Sequence, residues 1–156
     1  MLFMKIHEIP MLLPDQKAII CYLWNNEFPK KLAITPSVFD DFLVSLGNHK
    51  HYLIEGNDSR IMGWAFTFDR DADRWFSMII DSEFQRQGLG RIMLNLLKEN
   101  EDRLNGWVID HSNDFKQNGE PYLSPLSFYT RNGFVAIPEI RFENEKISAI
   151  KIEWRK

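Results

Sequence analysis

Gln85-Arg86-Gln87-Gly88-Leu89-Gly90 reads as a tight, glycine-bearing turn that runs straight into an amphipathic helix predicted to reach Arg103. Apolar residues recur at Leu89, Ile92, Met93, Leu96 and Leu97, a stripe of helical period. Arg91, Asn95, Lys98, Glu99, Asp102 and Arg103 make the opposite face. Just upstream, Trp75 to Ile80 is apolar and rich in aromatic and β-branched residues, which reads as a buried strand. The order is therefore strand, short turn, helix, with glycines at the first helical turn. The first N–H groups of a helix lack partners within it, and the helix dipole adds partial positive charge there. A phosphate sits well on such groups. Without a Cβ, Gly88 and Gly90 let an anion approach the backbone closely, and Arg86 and Arg91 add formal charge nearby.

Two common phosphate motifs fail. A dinucleotide fingerprint wants a third glycine where Met93 stands, and a P-loop wants Lys and Ser/Thr where Arg91 and Ile92 stand. The stretch resembles the coenzyme A loop of the GNAT acetyltransferases, whose motif Gln/Arg-x-x-Gly-x-Gly/Ala lies between the fourth strand and the following helix. Gln85, Gly88 and Gly90 satisfy that motif. Met78-Ile79-Ile80 stands where the family has a short apolar strand end, and Glu83-Phe84 where it often has an acidic-aromatic pair. Downstream, Phe128-Tyr129 followed by Asn132-Gly133-Phe134 is a second match. The resemblance is specific over residues 75 to 137 and general elsewhere.

Outward from this stretch, the N-terminal half is read as follows. Leu2 to Ile9 is predicted to be a strand, and Pro14-Asp15 to open a helix whose apolar face includes Ile20, Leu23, Trp24 and Phe28. Cys21 beside that stripe reads as a buried, inert thiol. After a turn region carrying Pro29, Lys30 and Lys31, Thr35 and Pro36 read as N-cap and first helical residue. Val38, Phe39, Phe42, Leu43 and Leu46 form the next helical stripe, with Gly47 as its C-terminal cap. The resemblance makes these two helices one wall of an acceptor site. Asp40 and Asp41 fit either a solvated helix face or an attractor for a cationic amine. Tyr52 to Ile54, Ile61 to Phe68 and Trp75 to Ile80 are predicted strands of an antiparallel meander, turning at Gly56-Asn57-Asp58 and at residues 69–73. His49 and His51 lie on one side of an extended chain, but two imidazoles do not make a metal site, and none is expected.

Past the striped helix, Trp107 to Asp110 reads as a strand, paired in parallel with Trp75–Ile80 through the helical crossover. His111 to Leu123 is a long polar loop, and such loops are usually functional or mobile. Ser124-Pro125 reads as the cap and first position of a short helix that Gly133 ends. Phe134 to Ile137, Ile140 to Glu143 and Ile147 to Trp154 are predicted strands. The fold class is α/β in the broad sense. Its expected form is the GNAT fold, a mixed, mainly antiparallel sheet of about seven strands flanked by about four helices.

Composition sets the bounds. A chain of 156 residues suits one domain, here the whole of residues 1–156, with 44% apolar and 26% charged residues as in ordinary globular proteins. A net charge of −3 without a basic stripe argues against nucleic acid as a partner. One cysteine excludes an internal disulfide framework. No apolar run approaches the roughly 20 residues of a membrane span, so no membrane partner is expected. Met1 to Met11 carries Lys5, His7 and Glu8 and no small-residue cleavage site follows, so it reads as a first strand rather than a signal peptide. A cytoplasmic location is the expectation, with monomer and homodimer both open.

The resemblance implies a reaction: the acetyl group of acetyl-CoA, as co-substrate, passes directly to a primary amine of a small molecule or peptide. The pyrophosphate would rest on the N–H groups of Arg86, Gln87, Gly88, Leu89, Gly90 and Arg91, with Met78, Ile79, Ile80 and Gln85 completing the coenzyme contacts. The N–H of Ile79 or Ile80 would polarise the thioester oxygen. Tyr129 stands where the family often has its general acid toward the coenzyme sulfur; a tyrosine hydroxyl, with a pKa near 10, can donate a proton to a thiolate and recover it. A buried aromatic is its plain alternative. The base stays open. Some members carry a glutamate on the fourth strand, at the position that corresponds to Arg74 here. Asp110, His111, Asp81 and Glu83 are alternatives, and so is water. His111 has the best-suited intrinsic pKa, about 6.5, against its plain reading as a surface loop histidine. Many members place a coenzyme-contacting asparagine where this chain has Tyr122, and Asn113 is the nearest substitute. A second reading is a GNAT-like domain that senses acyl-CoA without turnover. A third is a glycine turn that is purely structural.

Overall fold

The structure, a computed structural model, describes residues 4–156. Along them run β1 (Met4–Ile9), α1 (Pro14–Glu27), α2 (Pro36–Ser45), β2 (Gly47–Gly56), β3 (Ile61–Arg70), β4 (Asp73–Ile80), α3 (Leu89–Asn100), β5 (Arg103–Ile109), α4 (Leu126–Arg131), β6 (Val135–Glu143) and β7 (Ser148–Arg155). The strands form one sheet in the order β1-β2-β3-β4-β5-β7-β6. Every neighbouring pair is antiparallel except β4–β5. This is the expected mixed sheet flanked by helices.

Alternation along the strands sorts side chains onto two faces. Leu53, Trp64, Phe66, Phe68, Trp75 and Ile79 face α1 and α2, where Ile20, Leu23, Phe39 and Leu43 cover them. Tyr52, Ile54, Ala65, Phe76, Val108 and Ile152 face α3 and α4, beneath Met93, Leu94, Leu97 and Tyr129. Thr35 caps α2 as expected, its Oγ1 accepting from Val38 N at 3.2 Å. Cys21 is buried, and burial raises its thiol pKa, with Asp40 adding to the rise.

One feature of the sheet positions the site. β4 pairs with β3 from Arg70↔Asp73 to Gly63↔Ile80, and β5 pairs with β7 from Arg103↔Arg155 to Ile109↔Ala149. Between these two blocks the parallel ladder has a single registered pair, Trp75↔Asn105. Asn105 Nδ2 donates to Arg74 O at 2.9 Å and pins that end. Beyond it, β4 and β5 diverge.

Several boundaries differ from expectation. The first strand is found over Met4–Ile9; its predicted start at Leu2 lies outside the described residues. α3 stops at Asn100, not Arg103, because Glu101 turns extended and bonds Arg74 Nε at 3.1 Å, while Arg103 opens β5 on Asp73 at 2.7 Å. Its buried face is Leu89, Met93, Leu94 and Leu97, and Ile92 is turned outward. β2 extends well beyond Tyr52–Ile54 because β1 and β3 satisfy its backbone on both sides. Gly47 is not a left-handed cap; α2 ends on an extended Leu46, and Gly47 opens β2. The predicted strands at 134–137 and 140–143 are one strand, β6, kinked between Ile137 and Arg141, with Phe134 buried outside it. α4 starts one residue late. Pro125 is its cap residue, and Ser124 Oγ accepts from Leu126 N while donating to Ile109 O.

Candidate active site

The turn before α3 is built for close approach. Arg86 and Gly88 both have left-handed backbone, at φ 65° and 80°. Alternation into that region turns successive N–H groups to one side, the geometry of an anion-binding concavity. A non-glycine residue pays of order 1 kcal/mol to sit there, so Arg86 holds its conformation against a local cost. The helix ladder begins with Ile92 N–H donating to Gly88 O at 3.1 Å; among the described residues, the N–H groups of 86 to 91 find no acceptor. A Cβ on Gly88 would meet open space. Gly90 has a further reason to lack a Cβ: one would lie 3.2 Å from the Phe128 ring, so Gly90 also lets α3 pack on α4. Gln85 Nε2 donates to Ile80 O at 2.9 Å and ties the turn to the end of β4.

From this turn a cleft of about 650 Å³ runs into the divergence of β4 and β5. Met78, Ile79, Ile80, Gln85, Gly90, Phe128 and Tyr129 line one part of it. Trp24, Phe42, Phe66 and Phe68, which belong to the opposite face of the sheet, line another. The cleft therefore joins the two faces through the sheet. The register orients its backbone donors. Asp81 N–H donates to Met62 O at 2.9 Å, so strand alternation turns Ile79 N–H toward β3 and those of Met78 and Ile80 toward the gap. Of the two isoleucines expected as donors, only Ile80 presents its N–H to the cleft.

Tyr129 is held by α4, which ends at left-handed Gly133, and by ring contacts to Phe76, Phe128 and Phe134 at 5.2–5.7 Å. Its ring is buried, and burial first, with Tyr122 second, raises its hydroxyl pKa well above the usual value. At neutral pH it keeps its proton. Tyr122 also lines the cleft, its pKa pushed up to about 12 by burial and by Asp114.

The expected bases are placed elsewhere. Asp110 is held by Arg141 through two bonds of 3.0 Å, which lower its pKa. Asp81 accepts from Glu83 N, and Glu83 pairs with Arg60 at 2.6 Å. Arg74 is bonded to Glu101, Asn48, Asp69 and Thr67, a tie among strands. His111 and Asn113 bond each other, Asn113 N to His111 Nδ1 at 3.2 Å, and neither belongs to the cleft lining. Asp40 and Asp41 are exposed, with Asp40 paired to Lys17 at 3.1 Å, which is the solvated-face reading.

The stretch from 111 to 123 is a small hairpin rather than a free loop. Phe115 bridges Pro121, Lys116 N donates to Glu120 O, and Gly119 turns with φ 85°. Phe115 O accepts from Lys30 N at 2.8 Å, and Asp114 pairs with Lys31 at 2.8 Å.

Glu27 was not foreseen. Among the described residues it is the one carboxylate in the cleft lining, and it is buried. Its oxygens take Ser82 N at 2.9 Å and Lys116 Nζ at 3.1 Å. The available signal was position: an acid in the last turn of a helix opposes the dipole and needs a partner from elsewhere.

A family model described as "Acetyltransferase (GNAT) domain" matches residues 47–136. No curated protein matches the sequence. Among solved structures, a GNAT-superfamily phosphinothricin acetyltransferase from Sinorhizobium meliloti in complex with AcCoA superposes with a TM-score of 0.70 at 7% identity, over 97% of this chain and 88% of that one. The ribosomal-protein-S18-alanine N-acetyltransferase of Escherichia coli gives 0.64 at 16% identity, over 98% and 94%. Spermidine/spermine N-acetyltransferase from Vibrio cholerae, in complex with manganese ions, gives 0.62 at 15% identity, over 97% and 92%. At such identities the likeness is one of fold.

Proposed function

The chain belongs to the GNAT acetyltransferase family, and on that premise we propose that it transfers the acetyl group of acetyl-CoA directly to a primary amine. The observation that carries this reading is the cleft through the diverging β4 and β5, with the open N–H turn of residues 86–91 at one end and Tyr129 on its wall. The turn offers the pyrophosphate several backbone donors and a face at Gly88 that no side chain covers. Bound there, acetyl-CoA supplies an activated acyl carbon.

The chain's own residues then have three tasks. Met78 or Ile80 N–H holds the carbonyl oxygen as it gains charge, a preorganised donor in a largely apolar cleft. Tyr129, kept protonated by burial, donates its proton to the sulfur as the C–S bond breaks. The amine enters neutral, its nitrogen bonds the acyl carbon, and the proton it sheds leaves to water. Glu27 is already engaged by two donors, Ser82 N and Lys116 Nζ, and is given no proton to carry in this scheme.

The test is a panel of primary amines with acetyl-CoA, reading free CoA thiol, beside calorimetry of CoA binding. Amine-dependent thiol release with tight CoA binding is expected. Tight binding without release for every amine would instead favour an acyl-CoA-sensing domain, and absence of CoA binding a turn that is only structural.

A further inference from the structure

We infer that the acceptor is a primary amine carrying both a carboxylate and an aromatic or bulky apolar body, the chemistry of an aromatic α-amino acid; this rests on the acetyl-transfer reading. The first observation is the wall of the cleft away from Tyr129. Two rows of rings meet there. Phe42 lies 5.9 Å from Phe66, and Phe66 5.3 Å from Phe68, between α2 and β3. Beside them on the same face of the sheet Trp75, the cross-strand partner of Phe68, lies 5.2 Å from Trp107, and Trp107 5.6 Å from Phe142, across β4, β5 and β6. All six line the same cleft. Such walls suit a flat apolar body through area and ring stacking.

The second observation is the charge balance. The only lining carboxylate among the described residues, Glu27, is neutralised by Lys116 and bonded to Ser82 N. Arg70 and Lys146 stand exposed at the rim of the cleft with no carboxylate partner among the described residues, the Arg70 guanidinium stacked 4.9 Å from the centroid of the Phe68 ring. Trp75 adds an indole N–H that is buried and without an acceptor. The cleft therefore offers donors to an anion and no unpaired carboxylate to a second ammonium. A polyamine leaves its extra charges unmet.

The experiment uses the full chain with saturating acetyl-CoA and matched acceptors: L-phenylalanine against phenethylamine, L-tryptophan against tryptamine, with glycine and spermidine beside them. Thiol release and calorimetry on the CoA-loaded protein are both read. The amino acids should exceed their decarboxylated partners, glycine and spermidine at least tenfold in kcat/KM. Arg70→Gln should narrow the first ratio at least fivefold; Lys146→Gln, in the β6–β7 turn, does the same from an independent element. Equal or better turnover of phenethylamine, tryptamine or spermidine overturns this inference while leaving acetyl transfer standing. Selective binding of the amino acids without turnover overturns their role as acceptors and leaves acetyl transfer to the wider amine panel. Neither binding nor turnover of the aromatic amino acids overturns the inference whatever else is acetylated.

Discussion

At the residue scale, two buried groups carry separate consequences. Tyr129 is fixed by ring contacts to Phe76 and Phe134, and in the proposed reaction its hydroxyl is the proton donor. Tyr129→Phe keeps the packing and removes the proton. It should lower kcat about ten- to ten-thousand-fold, the usual range for general acid–base catalysis, with CoA affinity and Tm nearly unchanged; a kcat near wild type, measured where chemistry limits turnover, assigns the proton to another donor. His51 sits in the core, 1% exposed. Trp64 Nε1–H donates to its Nδ1 at 3.1 Å, which leaves Nε2–H to donate to His49 Nδ1 at 2.8 Å. A second proton would have to enter at Nδ1, against the indole N–H. Burial, and then His49, lower the His51 pKa to about 4 from an ordinary 6.5. With the folded value below the unfolded one, the unfolded chain binds the extra proton first as pH falls. The stabilisation is present above pH 6.5 and is lost between about 6.5 and 4, on the order of 3 kcal/mol in all. Urea unfolding across that window, with nitrogen NMR of the His51 ring at pH 5, checks it. A flat stability or a charged ring at pH 5 would refute it.

At the element scale, the turn before α3 and the hairpin of residues 111–123 make opposite demands on the backbone. Gly88 is left-handed with open space beside it. Gly88→Val meets no neighbour, so its cost to the fold is the left-handed penalty of roughly 1–2 kcal/mol, while its branched side chain covers the N–H groups. CoA affinity should fall at least tenfold by calorimetry in a protein that still melts cooperatively; unchanged affinity would remove the turn from the coenzyme site. The hairpin, read from composition as a mobile loop, is instead tied by Lys116 N to Glu120 O and Tyr122 N to Asp114 O. These two amides should exchange slowly without any ligand, by hydrogen-exchange mass spectrometry or NMR. Fast exchange that slows only with CoA would restore the mobile loop. The polar composition has a structural use here: Asn118 and Gly119 serve a turn, and the charges of Asp114 and Lys116 pair with Lys31 and Glu27.

At the scale of the whole molecule, the cleft depends on elements far apart in sequence. Glu27 joins the end of α1 to Ser82 and to Lys116 of the hairpin, with both charges largely buried. Removing one partner strands the other, so Glu27→Ala should cost about 3 kcal/mol by urea unfolding, while Lys116→Met in the same background should recover part of that loss; a cost below about 1 kcal/mol would match a surface pair instead. The amino-acid sequence by itself determined the elements whose cause is local. Among them are the strand, glycine turn and striped helix over residues 75–100, the Thr35-Pro36 start of α2, the Gly133 stop of α4 and the alternation that builds β3. The resemblance that named the family rests on the same short stretches. The tertiary structure alone decided how far β2 extends, through its pairing with β1 and β3, and buried His51 against Phe66 and Trp64. It alone merged the two short C-terminal strands into β6 along β7. It alone turned Ile80 rather than Ile79 toward the gap and excluded His111, Asn113 and Asp110 from the cleft. It alone brought Glu27 in. The reason is physical: turns, caps and stripes depend on residues a few positions apart, whereas a cleft is a relation among separate elements, set by register and by which buried charge finds its partner.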